Sequence, residues 1–280
     1  MNTTEYLSKW AISYKDDIIN NIMPFWMKYG LDREHGGVYT CVNRDGSLMD
    51  TTKSVWFQGR FGFIAAYAYN NIEKNPQWLA ASKSCIDFIE AHCFDTDGHM
   101  FFEVTEDGKP LRKRRYVFSE GFAAIAMAEY ALATGEKEYA KKALDIFKRT
   151  LHFLNAPGFL EPKYLPTLPS RGHSITMILI NTASRIRMVI DDPSLTEQID
   201  TSIAALRKYF IHPEFKALLE MVGPDGEFID TCNGRVINPG HCIETAWFIM
   251  EEAKYRNWDK DLLQLALQIL DWSWEWGWDK

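Results

Sequence analysis

The residues best suited to chemistry in this sequence are His241 and Glu244, which follow the segment Asn238-Pro239-Gly240. The Pro-Gly pair breaks the preceding chain, and the spacing predicts a helix that starts at the histidine. Because the two side chains are three residues apart, they share one face of that helix, where the carboxylate can fix the tautomer of the imidazole. The positive end of a helix also favours a neutral imidazole, which acts as a base near pH 7. The pattern indicates a general base, although a helix-start histidine beside a surface glutamate has the same spacing.

Composition excludes several classes of protein. The 280 residues are 46% hydrophobic and 14% aromatic, with ten tryptophans and a net charge of −7. An acidic chain with no stripe of Lys and Arg argues against nucleic-acid binding. The many aromatic residues suit either a large core or a cleft that stacks on sugar rings.

Targeting and ligand motifs are equally informative. The N-terminus lacks the basic and apolar regions of a secretory signal, and no apolar run reaches the length of a membrane span, so we expect a cytoplasmic protein. The five cysteines include no C-x-x-C pair. The histidines do not cluster with carboxylates at ligand spacing, so we expect no metal site. No Gly-rich phosphate loop is found either.

Apolar residues recur at helical spacing in nine segments, which predicts an all-α fold. The predicted helices cover residues 5–29, 53–71, 76–94, 119–133, 137–153, 173–190, 194–210, a segment starting at His241, and 260–276. Loop glycines recur about every 64 residues, which is typical of repeated helical hairpins. These glycines are Gly36, Gly98, Gly158 and Gly226. Small and aromatic residues in the helices predict close packing on several sides, as in a double-walled α-barrel, with an open α-solenoid as the alternative.

Two longer motifs resemble the N-acylglucosamine 2-epimerase family. They are Lys53–Phe61, with the sequence KSVWFQGRF, and Asn238–Phe248, with the sequence NPGHCIETAWF. The loop Asp32–Gly37 resembles the first loop of the same family. The resemblance extends over the whole chain and implies a single (α/α)6-barrel domain, residues 1–280. It also implies that this barrel is incomplete, with about nine of twelve helices.

The resemblance implies an activity and a role for several residues. Family members interconvert sugars epimeric at C2, mostly N-acetylglucosamine and N-acetylmannosamine, through removal of the C2 proton and an enediolate. By this resemblance, Arg60 faces the sugar oxygens, His241 is a catalytic histidine and Glu244 supports it. The sugar cleft is expected to be lined by Trp56, Tyr116 and Glu120. No cofactor is implied, and ATP enters only as an allosteric effector known in the family.

Two departures from the family pattern affect these expectations. The branches that epimerise cellobiose or isomerise aldoses have a histidine where this chain has Ile178, so the sequence favours the N-acylhexosamine branch. The second catalytic histidine of the family lies in terminal hairpins that have no counterpart here. His173 follows Gly172 and is equally well interpreted as a helix cap, so it receives no role.

Two other functions stay open at this point. The fold also occurs in glycoside hydrolases, which need two carboxylates, and Glu120 and Asp230 are the candidates. Alternatively, the chain is a non-catalytic remnant that binds sugar or pairs with a complementing C-terminal chain, since missing hairpins would expose apolar helix faces. The resemblance also implies that homodimers are common in the family.

Overall fold

A computed structural model describes residues 2–114, 116–161, 163 and 165–279 of the chain. These residues divide into two compact units, Met1–Phe159 and Leu160–Lys280. The expectation of one domain over residues 1–280 therefore stays a prediction.

The first unit consists of a long helical rod and two helical hairpins. The rod contains α1 (Thr3–Asp17), a π-helical turn (Ile18–Ile22) and α2 (Met23–Tyr29). The hairpins are α3 (Val55–Asn71) with α4 (Pro76–His92), and α5 (Phe118–Thr134) with α6 (Lys137–Asn155). The first helices of the two hairpins, α3 and α5, pack directly against each other, and each also packs on the second helix of its own hairpin.

The contact between α3 and α5 is close because small residues line it. A Cβ atom at Gly59 would lie 2.6 Å from the backbone of Phe122, so only glycine fits at this crossing. All residues of α5 from Ser119 to Ala131 are buried. An alanine-rich helix that is buried on every side is the expected central element of a layered helical fold.

The second unit repeats the arrangement. Its hairpins are α7 (His173–Arg187) with α8 (Pro193–Ala205), and α9 (Pro239–Tyr255) with α10 (Lys260–Gly277). A π-helical turn, Leu206–Phe210, extends α8. Here α7 and α9 pack against each other, as α3 and α5 do in the first unit.

Short antiparallel strands connect the helices. The first unit contains β1 (Cys41–Val42), β2 (Leu48–Asp50), β3 (Lys53–Ser54), β4 (Phe101–Val104) and β5 (Pro110–Lys113). The second contains β6 (Arg171–Gly172), β7 (Ile211–His212), β8 (Ala217–Leu218) and β9 (Met221–Val222). The sheets are β1-β2, β3-β4-β5, β6-β9 and β7-β8. These strands lie in the connecting segments that precede the first helix of each hairpin.

The structure agrees closely with the predicted helices. Because α1, its π turn and α2 follow one another without a break, the described residues form nine helical rods, as the periodicity predicted. All four repeated loop glycines have positive φ, between 73° and 94°, which glycine adopts without strain. In the part of the chain that the structure describes, none of the helices combines the length and apolar character needed to cross a bilayer.

Candidate functional site

The predicted helix start at His241 is confirmed. Asn238 is the N-cap of α9, its side chain accepts a hydrogen bond from the His241 backbone N–H at 3.3 Å, and Pro239 occupies the first turn. Both features are local signals for a helix start. They place the His241 side chain, which is 35% exposed, at the end of the helix where backbone N–H groups face outward.

The carboxylate that meets His241 is Glu220, not Glu244. Nδ1 of His241 lies 3.1 Å and 3.0 Å from the two carboxylate oxygens of Glu220. Glu244 is exposed, and no hydrogen bond or ion pair joins it to His241 in the described residues. The structure thus differs from the sequence prediction, because the loop between β8 and β9 brings in a carboxylate from 21 residues away.

A second histidine lies on the other side of Glu220. His173 is fully buried, and its Nδ1 lies 3.6 Å from a Glu220 oxygen. Its Nε2 lies 2.9 Å from the hydroxyl oxygen of Thr245, which donates its own proton to the carbonyl of His241 at 2.8 Å. A threonine hydroxyl has one proton, so Thr245 accepts from His173 and fixes the proton of that ring on Nε2.

Backbone pairing sets the distance between these groups. Strand β6 pairs with β9, with Arg171 opposite Val222 and Gly172 opposite Met221. The backbone N–H of His173 donates to the carbonyl of Glu220 at 3.0 Å. The ladder therefore holds the first residue of α7 against the loop residue that contacts His241.

The electrostatics of the cluster favour a charged Glu220. Burial by itself raises the pKa of this carboxyl, but the contacts with His173 and His241 outweigh burial and lower the pKa to about 2. An ionised carboxylate accepts hydrogen bonds only, so Nδ1 of His241 must carry the proton that Glu220 accepts. In the neutral ring, Nε2 is then the basic nitrogen.

The same three side chains are the candidate ligands for a cation. Ligand atoms of His173, Glu220 and His241 lie within 4.8 Å of one another. Two imidazoles and a carboxylate suit several divalent transition metals. However, the single Nδ1–H of His241 is already shared between both Glu220 oxygens, so these two groups are satisfied without a metal.

The first unit contains the other predicted site residues, beginning with Arg60. This arginine is exposed on α3, and its guanidinium lies 4.3 Å from the centre of the Phe122 ring of α5. No ion pair of Arg60 is present in the described residues. A cation held over an aromatic face without a carboxylate partner is well placed to meet an oxyanion.

Trp56 lies in an aromatic cluster beside Arg60. Its ring makes edge contacts with Phe102, Phe118 and Phe122 at centroid distances of 5.2, 5.3 and 5.9 Å. Tyr116 contacts Phe118 at 6.1 Å and is partly exposed. From the sequence alone, Trp56 could either pack in the protein or stack on a sugar. These contacts show that it packs against other rings, and sugar stacking stays a prediction.

Glu120 is only 1% exposed and forms an internal polar contact. Its Oε1 lies 2.5 Å from His99 Nδ1 and accepts the backbone N–H of Met100 at 2.7 Å. The other oxygen, Oε2, is buried and has no hydrogen-bond partner in the described residues. Sugar contact by Glu120 stays a prediction, whereas its hold on the loop before β4 is observed.

The motif around Arg60 also contains a structural cation. Lys53 is fully buried, and its ammonium donates to Asp32 Oδ2 at 2.7 Å and to the carbonyls of Gly36 and Glu106 at 2.8 Å. All three of its protons are therefore used. Lys53 and Asp32, which belong to two of the motifs, hold loops together in the first unit.

Glu220 was not predicted from the sequence, and His173 received no role there. Both lie in segments whose local pattern shows only a short strand and a helix start. The one available signal was that His173 precedes an apolar helix directly after Gly172, where a buried histidine needs a polar partner. The partner could not be identified because Thr245 is 72 residues away.

Comparison with known proteins finds relatives in one family. The family model for N-acylglucosamine 2-epimerase (GlcNAc 2-epimerase) matches residues 37–280. N-acylglucosamine 2-epimerase of Rattus norvegicus is 28% identical over 270 residues, 93% of this chain and 64% of the relative. The Homo sapiens protein of the same name is 30% identical over 240 residues, 83% of this chain and 56% of the relative. The chain thus spans about two thirds of the length of the curated relatives it matches.

Solved structures identify the fold. The structure of cellobiose 2-epimerase from Bacillus thermoamylovorans B4167 matches with a TM-score of 0.83 and 20% identity, over 96% of this chain and 72% of that one. The helical hairpins described above are those of this (α/α)6-barrel fold. The family match covers most of the chain and includes the Arg60 and His241 motifs. The chain belongs to the N-acylglucosamine 2-epimerase family.

Proposed function

We propose that this chain carries out sugar 2-epimerisation of N-acylated hexosamines, with His241 as the base that removes the C2 proton. The observation that supports this most directly is the contact between His241 Nδ1 and both oxygens of Glu220. It leaves Nε2 as the basic nitrogen of a ring that is 35% exposed. A neutral imidazole held in one tautomer beside a carboxylate is a typical arrangement for a general base near pH 7.

The proposed reaction proceeds from the open-chain sugar. The carbonyl at C1 makes the C2 proton acidic, and His241 Nε2 takes that proton while the electron pair of the C–H bond moves toward the carbonyl oxygen. C2 becomes planar in the resulting enolate. A water molecule then donates a proton to the opposite face of C2, and His241 releases its proton to solvent, which gives the other epimer and leaves the composition of the sugar unchanged.

Arg60 is the proposed cation for the enolate oxygen. Its guanidinium is exposed and lies over the Phe122 ring, and no carboxylate neutralises it in the described residues. Groups already in place for the developing charge stabilise the transition state more than the ground state. In this proposal Trp56 and Tyr116 contribute aromatic surface near Arg60.

The choice of N-acylhexosamines rests on Ile178 and on the relatives. Ile178 is buried in α7, where the branches that act on cellobiose or free aldoses are expected to have a histidine. Curated relatives that match 83–93% of this chain carry the name N-acylglucosamine 2-epimerase. Both observations support the amino-sugar branch.

The glycoside hydrolase alternative receives no support from its two candidate carboxylates. Glu120 is buried against His99, and Asp230 is paired with Arg235 at 2.7 Å. A hydrolase needs one carboxyl to protonate the leaving oxygen and a second to act on the opposite face of the sugar. Neither group is disposed for such a role.

The deciding experiment is proton NMR of the purified chain with N-acetylmannosamine and, separately, N-acetylglucosamine in D2O. Loss of the C2 proton signal together with appearance of the other epimer is the expected result. The matched control is His241→Gln, which keeps the helix but lacks a base. Turnover of neither sugar by a folded chain would overturn the proposal for this chain, and equal turnover by His241→Gln would overturn the assignment of the base.

A further inference from the structure

We propose that Glu220 is the positioning residue that gives His241 its reactive tautomer. We also propose that His173 and Thr245 fix the positions of Glu220 and His241 relative to each other. The proposal rests on the proposed role of His241 as the base. In place of the predicted contact between His241 and Glu244 within α9, the proposal involves a polar cluster that joins α7, the loop before β9, and α9.

The hydrogen-bond pattern of the cluster has one consistent assignment. Thr245 uses its proton on the carbonyl of His241, so its oxygen accepts from Nε2–H of His173. Nδ1 of His173 lies 3.6 Å from a Glu220 oxygen, which is beyond hydrogen-bond distance, and it has no hydrogen-bond partner in the described residues. Glu220 is therefore placed between two imidazole rings.

Burial restricts the hydrogen-bond partners available to this cluster. His173 and Thr245 are both fully buried, so neither can exchange its partner for water. An unpaired buried polar group is costly, which restrains both side chains to the observed orientation. The backbone bond from His173 N–H to the Glu220 carbonyl, at 3.0 Å, restrains the same two residues from the main-chain side.

Glu244 lacks these restraints. It shares a helix face with His241 by spacing, but it is exposed, and no hydrogen bond or ion pair joins it to the ring in the described residues. An exposed side chain on a helix contributes little to the orientation of its neighbour, because rotamer freedom and solvent compete with the contact. The two carboxylates can therefore be separated experimentally.

Several titratable groups adjoin His241 in the second unit. Glu220 stabilises the protonated ring, and the His173 ring lies on the other side of Glu220. Cys242 follows on α9, and burial raises the pKa of its thiol to about 11, so it is neutral near pH 7. Removal of the Glu220 charge is therefore expected to lower the pKa of His241.

The test is an NMR titration of the full chain labelled with 15N-histidine, without substrate and with EDTA present. Wild-type His241 is expected to show the tautomer protonated at Nδ1. In Glu220→Gln the pKa of His241 should fall, and the two tautomers should mix. This readout is independent of turnover, so it can fail while the epimerase proposal stands, or succeed where that proposal fails.

Two glutamates of α9 serve as matched controls. Glu251→Gln removes the same charge about 15 Å along the helix and should leave the His241 titration unchanged. Glu244→Gln should shift it less than Glu220→Gln does. A larger shift in Glu244→Gln, or an unchanged titration in Glu220→Gln, would overturn the proposal.

A second variant guards against misfolding of Glu220→Gln. Thr245→Val keeps the shape of the side chain but removes the oxygen that accepts from His173. We expect mixed tautomers of His173 and a three- to tenfold lower kcat for C2 exchange at unchanged KM. An unaltered His173 tautomer would contradict the proposed role of Thr245 in fixing that ring. So would a His241 tautomer that appears only when Zn²⁺ is added, because a cation would then hold the ring.

Discussion

The two units each contain a histidine held by a glutamate, and the two pairs are arranged differently. In the first unit, His99 is 4% exposed and both ring nitrogens are engaged, Nδ1 with Glu120 at 2.5 Å and Nε2 with the Arg114 carbonyl at 2.8 Å. In the second, Glu220 occupies Nδ1 of His241, whose side chain is 35% exposed. The same two residue types therefore produce a closed contact in one unit and an accessible ring in the other.

The difference shows that exposure and the second ring nitrogen decide what such a pair can do. A ring with both nitrogens bonded inside the protein cannot take a proton from a substrate without breaking a buried hydrogen bond. His99 thus serves the loop that precedes β4, where Glu120 also accepts the Met100 N–H. In His241 the Glu220 carboxylate contacts only Nδ1, and the side chain is partly exposed.

The largest effect is expected for His241→Gln. Loss of the base should lower the rate of C2 exchange by about 100- to 10,000-fold. Because the ring is partly exposed but bonds the Glu220 carboxylate, the free energy of unfolding should fall by about 1–2 kcal/mol, less than for loss of a fully buried pair. Exchange rates from NMR and urea denaturation measure the two quantities. A large loss of stability without loss of rate would show that His241 has a structural role, as His99 has.

Glu120→Ala should have the opposite character. Removing the carboxylate leaves His99 and the Met100 N–H buried without their partner, which should lower the free energy of unfolding by about 3–5 kcal/mol. Asp87→Asn is the control, since the exposed pair of Asp87 with Lys83 contributes about 0.5 kcal/mol or less. If urea denaturation shows equal losses for both variants, the contact in the first unit is not structural.

Arg60→Gln tests the exposed group of the first unit. Loss of the cation should reduce the rate of C2 exchange by about 100- to 1,000-fold, in the range found for removal of one oxyanion donor. Arg60→Lys should lose less, because it keeps the charge and lacks only the planar fork. Steady-state kinetics on both variants would contradict the assignment if the glutamine variant kept its kcat.

The smallest effect is the pH dependence of stability, which should have opposite signs in the two units. Glu220 has a lowered pKa, so its contribution, at most about 3 kcal/mol, is complete above about pH 4.5 and is lost as the pH falls toward 2. Burial alone lowers the pKa of His99, but Glu120 outweighs it and raises that pKa. The His99 contribution is therefore complete below its unfolded pKa of about 6.5 and is lost as the pH rises through its folded value.

Urea denaturation from pH 2 to pH 9 can separate these two contributions. Glu220→Gln should flatten the acid limb of the stability profile, and His99→Gln should flatten the limb above about pH 6.5. Identical pH profiles for wild type and Glu220→Gln would show that the charge of Glu220 does not contribute to stability.

The sequence predicted the helices well because their signals are local. Apolar spacing, the cap at Asn238 with Pro239, and the break before Pro76 act within a few residues, and the observed helices start and end close to the predicted positions. The resemblance also located Arg60 and His241, which the structure leaves accessible. The resemblance did not show which residues of a motif are exposed, since Lys53 lies in the same motif as Arg60 but is fully buried.

The sequence by itself determined the repeated hairpins, the family and the histidine at the start of α9. Only the tertiary structure decided that Glu220 rather than Glu244 meets that histidine, and that Glu120 is buried against His99. The physical reason is that helix periodicity fixes neighbours three or four residues apart. Contacts across a strand pair or between helices depend on how the whole unit packs. His173 and Thr245, 72 residues apart in the chain, meet at 2.9 Å only because α7 and α9 pack side by side.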